Sequence, residues 1–373
     1  MEIFKKKHPD VKVEFERKTY EQMQQSGQLL LNTNDAPDVL EYLKGNATAG
    51  TVAKAGLLTD LTDVAKQRKW PVDGNVQDVG LYDSNGIMGA GKRYGITNMG
   101  EYVSVWYNKT LFEKNGLTVP KTLGEFENVM KAFTEKGVTP LAMSTSDYPG
   151  EHMLYQLALT HMDKKSWNAY QRFDGKVDWS AWEKGAQTMK DWADDGYIDK
   201  NSTGISGTDA GNGFITGKYP MFLSGTWWSG DFSTKIKDFQ YDQFRFPDSA
   251  YQLGSGGSIW VVPQKAKNKE LAYDFLDITM SPEVQNLLGN EGGVPVAADP
   301  SKVTTPIGQL TTKNFTALAA ETDGGLAWYP DWPVAGLNDA LIAQTANLVL
   351  GKSTPAQVSD ALRSVYDQGA PKK

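Results

Sequence analysis

Short apolar segments alternate along this chain with helices that have their own start signals, and this alternation limits the fold classes open to it. Thr122 precedes Glu125 by three residues, which is the spacing of a capping box, and apolar residues then recur at helical spacing. Ser180 and Glu183 have the same spacing, and Ser281-Pro282 places proline at the first helical position. Helices with strand-like segments between them predict an α/β fold.

The first part of the chain predicts how its strands are arranged. Residues 1–7 have the character of a helix end that stops at His8-Pro9, and residues 11–16 alternate between apolar and charged side chains as a strand does. Residues 37–40 form a second apolar segment, and residues 102–107 a clear strand further on. The opening order of helix, strand, helix and strand predicts a parallel sheet.

The length of the chain favours two domains that are joined without a long spacer. Its 373 residues suit two domains or one large one. No Pro-rich or Ser-rich linker separates two halves, and the glycine-dense stretch 253–258 runs directly into the apolar strand 259–262. We therefore expect a domain crossing at this stretch and a hinge made of short strands.

Composition excludes several classes of partner and site. The net charge is −7, from 45 acidic and 38 basic residues, which argues against a nucleic-acid partner. The chain has no cysteine, so disulfides and thiolate metal sites are excluded. No stretch approaches the roughly 20 consecutive apolar residues that a membrane-spanning helix needs.

Motifs of catalysis are missing or incomplete. Residues 86–92 have the glycine and lysine spacing of a phosphate-binding loop, but Arg93 stands where Ser or Thr is required. The three histidines show no metal-ligand spacing, and no nucleophile elbow occurs, so His152 and His161 are given no role. We predict no catalytic residue, no metal ligand and no cofactor. A hydrolase that uses an Asp or Glu pair stays open as the alternative.

Tryptophans outside the periodic helical runs are the more specific signal. Trp227 and Trp228 follow a Ser-Gly pair, and a second aromatic group lies at 328–332 around a Pro-Asp pair. Packing in the core explains Trp182 and Trp192 better, because both lie on a predicted helix. Aromatic faces beside polar groups are typical of a sugar-binding cleft.

A series of motifs resembles the family 1 extracellular solute-binding proteins, the maltodextrin-binding type that serves ABC importers. The likeness runs essentially from end to end. The segments that resemble the family are 4–10 (FKKKHPD), 36–39 (APDV), 55–61 (AGLLTDL), 107–112 (YNKTLF), 116–126, 214–227 and 293–295 (GVP).

The resemblance implies a two-lobed α/β protein of the type II periplasmic-binding fold, with the lobes joined by a three-segment hinge. Lobe 1 would comprise residues 1–106 and 257–300, and lobe 2 residues 107–256 and 301–373. The hinge segments would lie near 105–108, 256–259 and 297–303.

A protein of this type would bind a neutral di- or oligosaccharide in the interlobe cleft and deliver it to the permease subunits of an ABC transporter, as a monomer and not as an enzyme. We favour xylo- or cello-oligosaccharides over maltodextrins. It would work in the periplasm or at the cell surface, free or lipid-anchored. A sugar-responsive partner of a membrane sensor would share this fold.

Carried over residue by residue, the resemblance implies a set of ligand contacts. Carboxylates in this set would accept hydrogen bonds from sugar hydroxyls, and aromatic rings would stack on pyranose faces. The predicted ligand-binding residues are Glu41, Tyr42, Glu101, Asp147, Tyr148, Trp227, Trp228, Gly256, Gly257, Asp331 and Trp332.

The chain departs from the family at its beginning. Family members have a first strand and a ligand-contacting loop before the helix that ends at His8-Pro9, and the sequence starts inside that helix. We expect that a signal sequence and a first strand precede it in the natural protein.

Overall fold

The computed structural model describes residues 1–72 and 74–371, and the chain divides into two units of mixed α and β structure. Unit 1 comprises Met1–Gly100 and Ser255–Lys313, and unit 2 comprises Glu101–Gly254 and Asn314–Lys373. The described chain passes from one unit to the other three times, once within the glycine-dense stretch 253–258. The lobe boundaries and hinge segments expected from the sequence stay a prediction.

The helices and strands follow one another along the whole described chain. The α-helices are α1 (Glu2–Lys7), α2 (Tyr20–Asn32), α3 (Thr51–Lys54), α4 (Thr62–Gln67), α5 (Lys109–Lys114), α6 (Leu123–Thr134), α7 (Gly150–Leu159), α8 (Lys164–Arg172), α9 (Trp179–Asp194), α10 (Gly207–Ile215), α11 (Ser229–Lys235), α12 (Lys269–Thr279), α13 (Pro282–Asn290), α14 (Pro306–Ala320), α15 (Leu337–Val349) and α16 (Pro355–Gly369). The strands are β1 (Leu40–Tyr42), β2 (Leu81–Tyr82), β3 (Lys92–Arg93), β4 (Gly95–Ile96), β5 (Gly100–Asn108), β6 (Leu141–Ala142), β7 (Met221–Gly225), β8 (Tyr241–Phe244), β9 (Tyr251–Gly256), β10 (Ile259–Val261) and β11 (Gly325–Ala327). Short 3₁₀ or π turns lie at Asn46–Gly50, Asn75–Gly80, Lys200–Gly204, Thr226–Trp228 and Pro300–Lys302.

Unit 1 is built on a small antiparallel sheet in the order β1-β10-β4. Its core lies between this sheet and α12, where Ile96, Leu276 and Met280 are buried together. Arg68 links the end of α4 to α12, because its guanidinium donates to Asp274 and Asp277, each at 2.7 Å. These contacts fix the helix layer of unit 1 over its sheet.

The sequence-based prediction of strands fails at the start of unit 1. Residues 11–16 form no strand, and Phe15 is 73% exposed, because no neighbouring strand pairs with this alternating segment. The strand predicted at 37–40 begins only at Leu40 and pairs with β10 in antiparallel orientation. The predicted parallel sheet is therefore wrong for unit 1, since its strands pair with partners that are distant in the sequence.

Unit 2 contains a larger mixed sheet in the order β11-β9-β5-β7-β6, with β8 paired to the second half of β5. β7 runs antiparallel to β5 and parallel to β6, and β11 runs parallel to β9. Helices α7, α9, α15 and α16 pack on one another beside it. Trp182 and Trp192 are buried in this helical layer, which confirms the core positions predicted for them.

Helix starts were largely predictable from local sequence. Thr122, Ser281 and Thr354 are N-caps, and each side chain accepts a hydrogen bond from the backbone N–H three residues later. The predicted start at Ser180 is wrong, because Asp178 caps α9 instead and accepts from the Ser180 N–H at 3.0 Å. A carboxylate two residues upstream is at least as good a cap as the serine hydroxyl.

Candidate functional site

Three irregular segments of unit 2 follow strands whose carboxyl ends lie at one edge of the sheet. They are the serine loop (144–149) after β6, the tryptophan turn (Thr226–Trp228) after β7, and the aromatic segment (328–332) after β11. β6 is parallel to β7, so the carboxyl ends of both strands point toward the same edge of the sheet. Gly254 near the end of β9 packs against Glu101 at the start of β5, so β9 and its parallel neighbour β11 also end at this edge.

Trp227 has the most exposed tryptophan ring that the structure describes, at 41% of its surface. Its ring centroid lies 6.1 Å from that of Tyr148, 6.0 Å from His152 and 6.4 Å from Tyr329. Tyr329 in turn lies 5.3 Å from Trp332. We call these five rings the aromatic platform. Residues from the serine loop, α7, the tryptophan turn and the aromatic segment therefore form one continuous aromatic cluster, in which Trp227 is the exposed ring.

Glycines make room for the rings of this region. A Cβ on Gly225, the last residue of β7, would overlap the Trp227 ring. On α10, a Cβ at Gly207 would overlap the backbone of Tyr148, and one at Gly211 would overlap the Trp228 ring. Gly207 and Gly211 are four residues apart, so both lie on the same face of α10. The absence of side chains at these positions allows the tryptophan turn and the serine loop to lie close to the helix.

Helix α8 anchors the aromatic segment through buried hydrogen bonds. The Tyr170 hydroxyl donates to the carbonyl of Pro330 at 2.6 Å. The side-chain amide of Gln171 donates to the carbonyls of Trp328 and Tyr329, at 3.1 and 2.9 Å. Gln171 is only 2% exposed, and the Tyr329 carbonyl also accepts from the Trp332 N–H at 3.4 Å. The segment is thereby fixed in position although it has no regular secondary structure.

Two titratable residues of α7 are buried at the platform, and one of them, His152, belongs to it. Burial, and then the nearby charges of Asp147 and Asp331, raise the pKa of Glu151 to about 8. Burial lowers the pKa of His152 to about 3. His152 Nε2 lies 3.5 Å from a carboxylate oxygen of Glu151, but with these pKa values both groups are neutral at pH 7 and form no ion pair. The carboxylates that act on Glu151 are those of Asp147 and Asp331.

Beside the platform, an open depression of about 320 Å³ lies between α10 and α11. Two platform rings form one wall, and polar side chains of the two helices form the others. The depression is lined by Tyr148, Thr208, Asn212, Trp227, Trp228, Asp231 and Lys235.

Unit 1 contains the other predicted ligand-binding residues. Glu41 is exposed on β1, whereas Tyr42 is 5% exposed and its ring packs against Gly27. Gly256 and Gly257 pack against residues 76–99 of unit 1, where a Cβ on either would crowd its neighbours. Close packing within unit 1 by itself explains why positions 256 and 257 are glycines.

The structure thus brings most of the predicted unit 2 residues together. Tyr148, Trp227 and Trp228 line one depression, and Trp332 belongs to the same aromatic platform. Trp228 and Trp332 are only 7% and 8% exposed, so of the predicted tryptophans it is Trp227 that offers a ring face to a ligand. Glu101 is the second residue of β5, at this edge of the sheet. It precedes Tyr102, whose N–H donates to the Thr226 hydroxyl at 3.4 Å.

Sequence reasoning missed three residues of this region. His152 was given no role, and Glu151 and Tyr329 were not singled out. Both α7 residues lie on a helix whose apolar periodicity does not show which turn meets a loop. The glycines of α10 are no signal for these three residues, since they make room for Tyr148 and Trp228.

Two kinds of feature are absent from the described part of the chain. None of the helices described is both long enough and apolar enough to cross a bilayer. Among the same residues, no group of three or more His, Cys, Asp or Glu side chains is arranged to hold a metal ion.

Solved structures share the fold over nearly the whole chain. One, from a study of xylan utilization by the thermophilic bacterium Caldanaerobius polysaccharolyticus, matches with a TM-score of 0.82 and 21% identity, over 97% of this chain and 94% of that chain. The solute-binding protein RafE in complex with raffinose matches with a TM-score of 0.75 and 22% identity, over 98% and 94%. The predicted fold class, a two-lobed α/β protein of the type II periplasmic-binding fold, is confirmed.

Sequence comparison places the chain in a family. The Multiple sugar-binding protein of Streptococcus mutans serotype c is 24% identical over 297 residues, which are 76% of this chain and 68% of that protein. The family model described as bacterial extracellular solute-binding protein matches residues 2–286, more than half of the chain. The chain therefore belongs to the family of bacterial extracellular solute-binding proteins.

Proposed function

We propose that this protein is the extracytoplasmic receptor for a neutral di- or oligosaccharide and that it delivers the sugar to the permease of an ABC transporter. The observation that supports the proposal is the Trp227 ring, which is 41% exposed although four other rings of the platform surround or extend it. An aromatic face that is held in place and left open to solvent is suited to stacking on a pyranose ring. The ligand contacts predicted in unit 1 are part of the same proposal.

The charges around the platform favour a neutral ligand. Asp147 and Asp331 are close enough to Glu151 to raise its pKa, so two carboxylates lie beside the platform. Carboxylates accept hydrogen bonds from sugar hydroxyls, and they repel sugars that contain acidic groups. Glu151 is protonated at pH 7 and can serve as a donor within this network.

The names of two proteins that are similar to this chain support a sugar as its ligand. One relative is called a multiple sugar-binding protein, and one structural neighbour holds raffinose, a neutral oligosaccharide. We extend this to the chain because it shares their fold and has an open aromatic surface. We favour xylo- or cello-oligosaccharides as the first ligands to test.

A hydrolase is the second candidate, and one observation favours it. A carboxylic acid whose pKa is raised to about 8 and that lies near other carboxylates is the arrangement of a glycosidase general acid. Glu151, however, is only 6% exposed where it lies at the platform, whereas a general acid must reach the glycosidic oxygen. Binding without cleavage is therefore the reading that the geometry supports best.

The test is a tryptophan-fluorescence titration against a panel of neutral mono- and oligosaccharides, with chromatography of the same samples. We expect a saturable change with intact sugar, because the ligand covers the exposed Trp227 ring. The panel includes amino acids, short peptides and choline, since aromatic rings with carboxylates also attract organic cations. A response to one of these alone would overturn the proposal, and cleaved sugar would establish the hydrolase.

Delivery to a transporter needs a separate measurement. Cells that lack the gene should lose uptake of the radiolabelled sugar, and the natural gene should restore it. A Trp227→Ala gene should restore uptake only at higher sugar concentration. Unchanged uptake in cells without the gene would contradict the transport part of the proposal and leave the binding part standing.

A further inference from the structure

Helix α8 holds a side chain of the aromatic segment as well as its backbone. The Trp328 ring lies edge to face with Trp167, with ring centroids 5.5 Å apart, and the Arg172 guanidinium carbon is 4.4 Å from the Trp328 centroid. An indole is the aromatic ring that attracts a guanidinium most strongly. Together with the hydrogen bonds that Tyr170 and Gln171 donate, one helix therefore fixes both the backbone and a ring of the segment.

The aromatic segment depends on these anchors because its own backbone bonding is weak. It lies in the irregular stretch between β11 and α15. The hydrogen bonds from the Trp332 N–H to the Tyr329 carbonyl and from the Leu337 N–H to the Val334 carbonyl are long, at 3.4 and 3.5 Å. A stretch of this kind keeps one conformation through contacts with its surroundings, and α8 supplies such contacts.

α8 is itself fixed to the helical layer of unit 2. The Tyr170 ring is 1% exposed, and its centroid lies 5.2 Å from those of both Trp182 on α9 and Tyr366 on α16. The Tyr366 hydroxyl donates to the Tyr170 carbonyl at 2.8 Å. At the other end of the helix, Asp163 is the N-cap and accepts from the Ser166 N–H at 2.8 Å. The helix can therefore set the position of the segment and does not have to follow it.

The anchored residues lie beside the proposed ligand contacts. Pro330, whose carbonyl α8 holds, directly precedes Asp331. Tyr329, whose carbonyl Gln171 holds, has its ring 6.4 Å from that of Trp227. Gln171 is 2% exposed and lies out of a ligand's reach, so it can act only through the segment. Hydrogen bonds weaken steeply away from their best distance and angle, so a small displacement of the Asp331 carboxylate costs affinity.

We infer that Tyr170 and Gln171 are positioning residues for ligand binding. They hold the aromatic segment so that Asp331 meets the sugar in one orientation and the Tyr329 ring supports the Trp227 indole. This inference rests on the proposed function and adds to it two residues that touch no ligand. A carboxylate held in one orientation also distinguishes sugars by the direction of their hydroxyl groups. Loosening the segment should therefore lower the selectivity between epimeric sugars as well as the affinity.

The variants change single hydrogen bonds and keep the size of the side chains. Tyr170→Phe removes only the hydroxyl that donates to Pro330, and Gln171→Met removes the donors to the other two carbonyls. The matched control is Gln252→Met, because Gln252 is also fully buried in unit 2 and its amide donates to the Phe246 carbonyl at 3.2 Å, between β8 and β9. The melting temperature of each variant shows that it is folded.

The first measurement is fluorine NMR of the ligand-free protein labelled with fluorinated tryptophan. The resonances of Trp328, Trp332 and Trp70 are assigned by replacing each of these tryptophans with phenylalanine. Both test variants should shift or broaden the Trp328 and Trp332 resonances and leave that of Trp70, which is buried in the core of unit 1. The control should leave all three unchanged. Unchanged Trp328 and Trp332 resonances in the test variants would overturn the inference, whatever the protein binds.

The second measurement is isothermal titration calorimetry with the saccharide of highest affinity and with epimers of it that still bind. Each test variant should raise the Kd roughly three- to tenfold and lower the ratio of Kd values between epimers at least about twofold, whereas Gln252→Met should change neither. If the fluorine resonances move but the Kd and the ratio do not, the inference is overturned and the sugar receptor stands. If no saccharide binds to the natural protein, the proposed function and the inference both fail.

Discussion

Replacing Trp227 by alanine should weaken sugar binding far more than it weakens the fold. The ring is 41% exposed. A tryptophan side chain offers up to about 250 Å² of surface, so roughly 100 Å² is open to a ligand. Covering this area with a sugar face contributes about 2.5 kcal/mol at 25 cal/mol per Å². We therefore expect Trp227→Ala to raise the Kd about 50- to 100-fold.

The assay is isothermal titration calorimetry with the saccharide that gives the largest fluorescence response. Leu350→Ala is the matched control, because Leu350 is an apolar side chain of unit 2 that is 37% exposed and lies at the end of α15. The control should leave the Kd unchanged, and urea unfolding of both variants should show that they are folded. A change in Kd of less than about threefold for Trp227→Ala would refute the stacking argument, since it corresponds to well under 1 kcal/mol.

Three further predictions concern the support of the platform. Gly225→Ala should displace the Trp227 ring, because the added Cβ would overlap it. The Kd for the sugar should rise at least tenfold, which corresponds to about 1.4 kcal/mol. Gly124→Ala is the control: its added methyl group meets no atom within 4 Å, so the Kd in the same calorimetric titration should not change. Gln171→Leu should lower the free energy of unfolding in urea by about 2 to 3 kcal/mol, because it removes the donors to two buried carbonyls of the aromatic segment; unchanged stability would show that these hydrogen bonds contribute nothing. The pKa of Glu151 is raised from 4.5 to about 8, so its contribution to stability is full below pH 4.5 and is lost as the pH rises to about 8. Urea unfolding should therefore show Glu151→Gln gaining about 1.5 kcal/mol relative to the natural protein between pH 6.5 and pH 8, and parallel pH profiles would contradict the raised pKa.

Local signals in the sequence predicted local structure well. Thr122 and Ser281 cap their helices as expected, because a cap needs only the residue and the N–H groups of the next turn. The strand at 11–16 and the parallel sheet of unit 1 were predicted wrongly, because strand pairing depends on partners far away in the chain. β1, for example, pairs with β10 more than 200 residues later, and the pattern around β1 contains no trace of it.

The candidate site was predictable only in part, for the same reason. Loop tryptophans were the correct signal for Trp227, but sequence could not tell that Trp228, its neighbour, turns into the fold and packs on Phe232. His152 and Glu151 join the site because the first turn of α7 meets the aromatic segment. Such a contact is set by packing between distant segments, which a helical pattern does not encode.

The most direct test of the sugar-receptor claim is a crystal structure of the protein grown with the saccharide of highest affinity. The account predicts a pyranose ring lying flat on the Trp227 indole at contact distance, about 4 Å, with sugar hydroxyls hydrogen-bonded to Asp147 or Asp331. A sugar bound away from Trp227, with that ring still open to solvent, would contradict it.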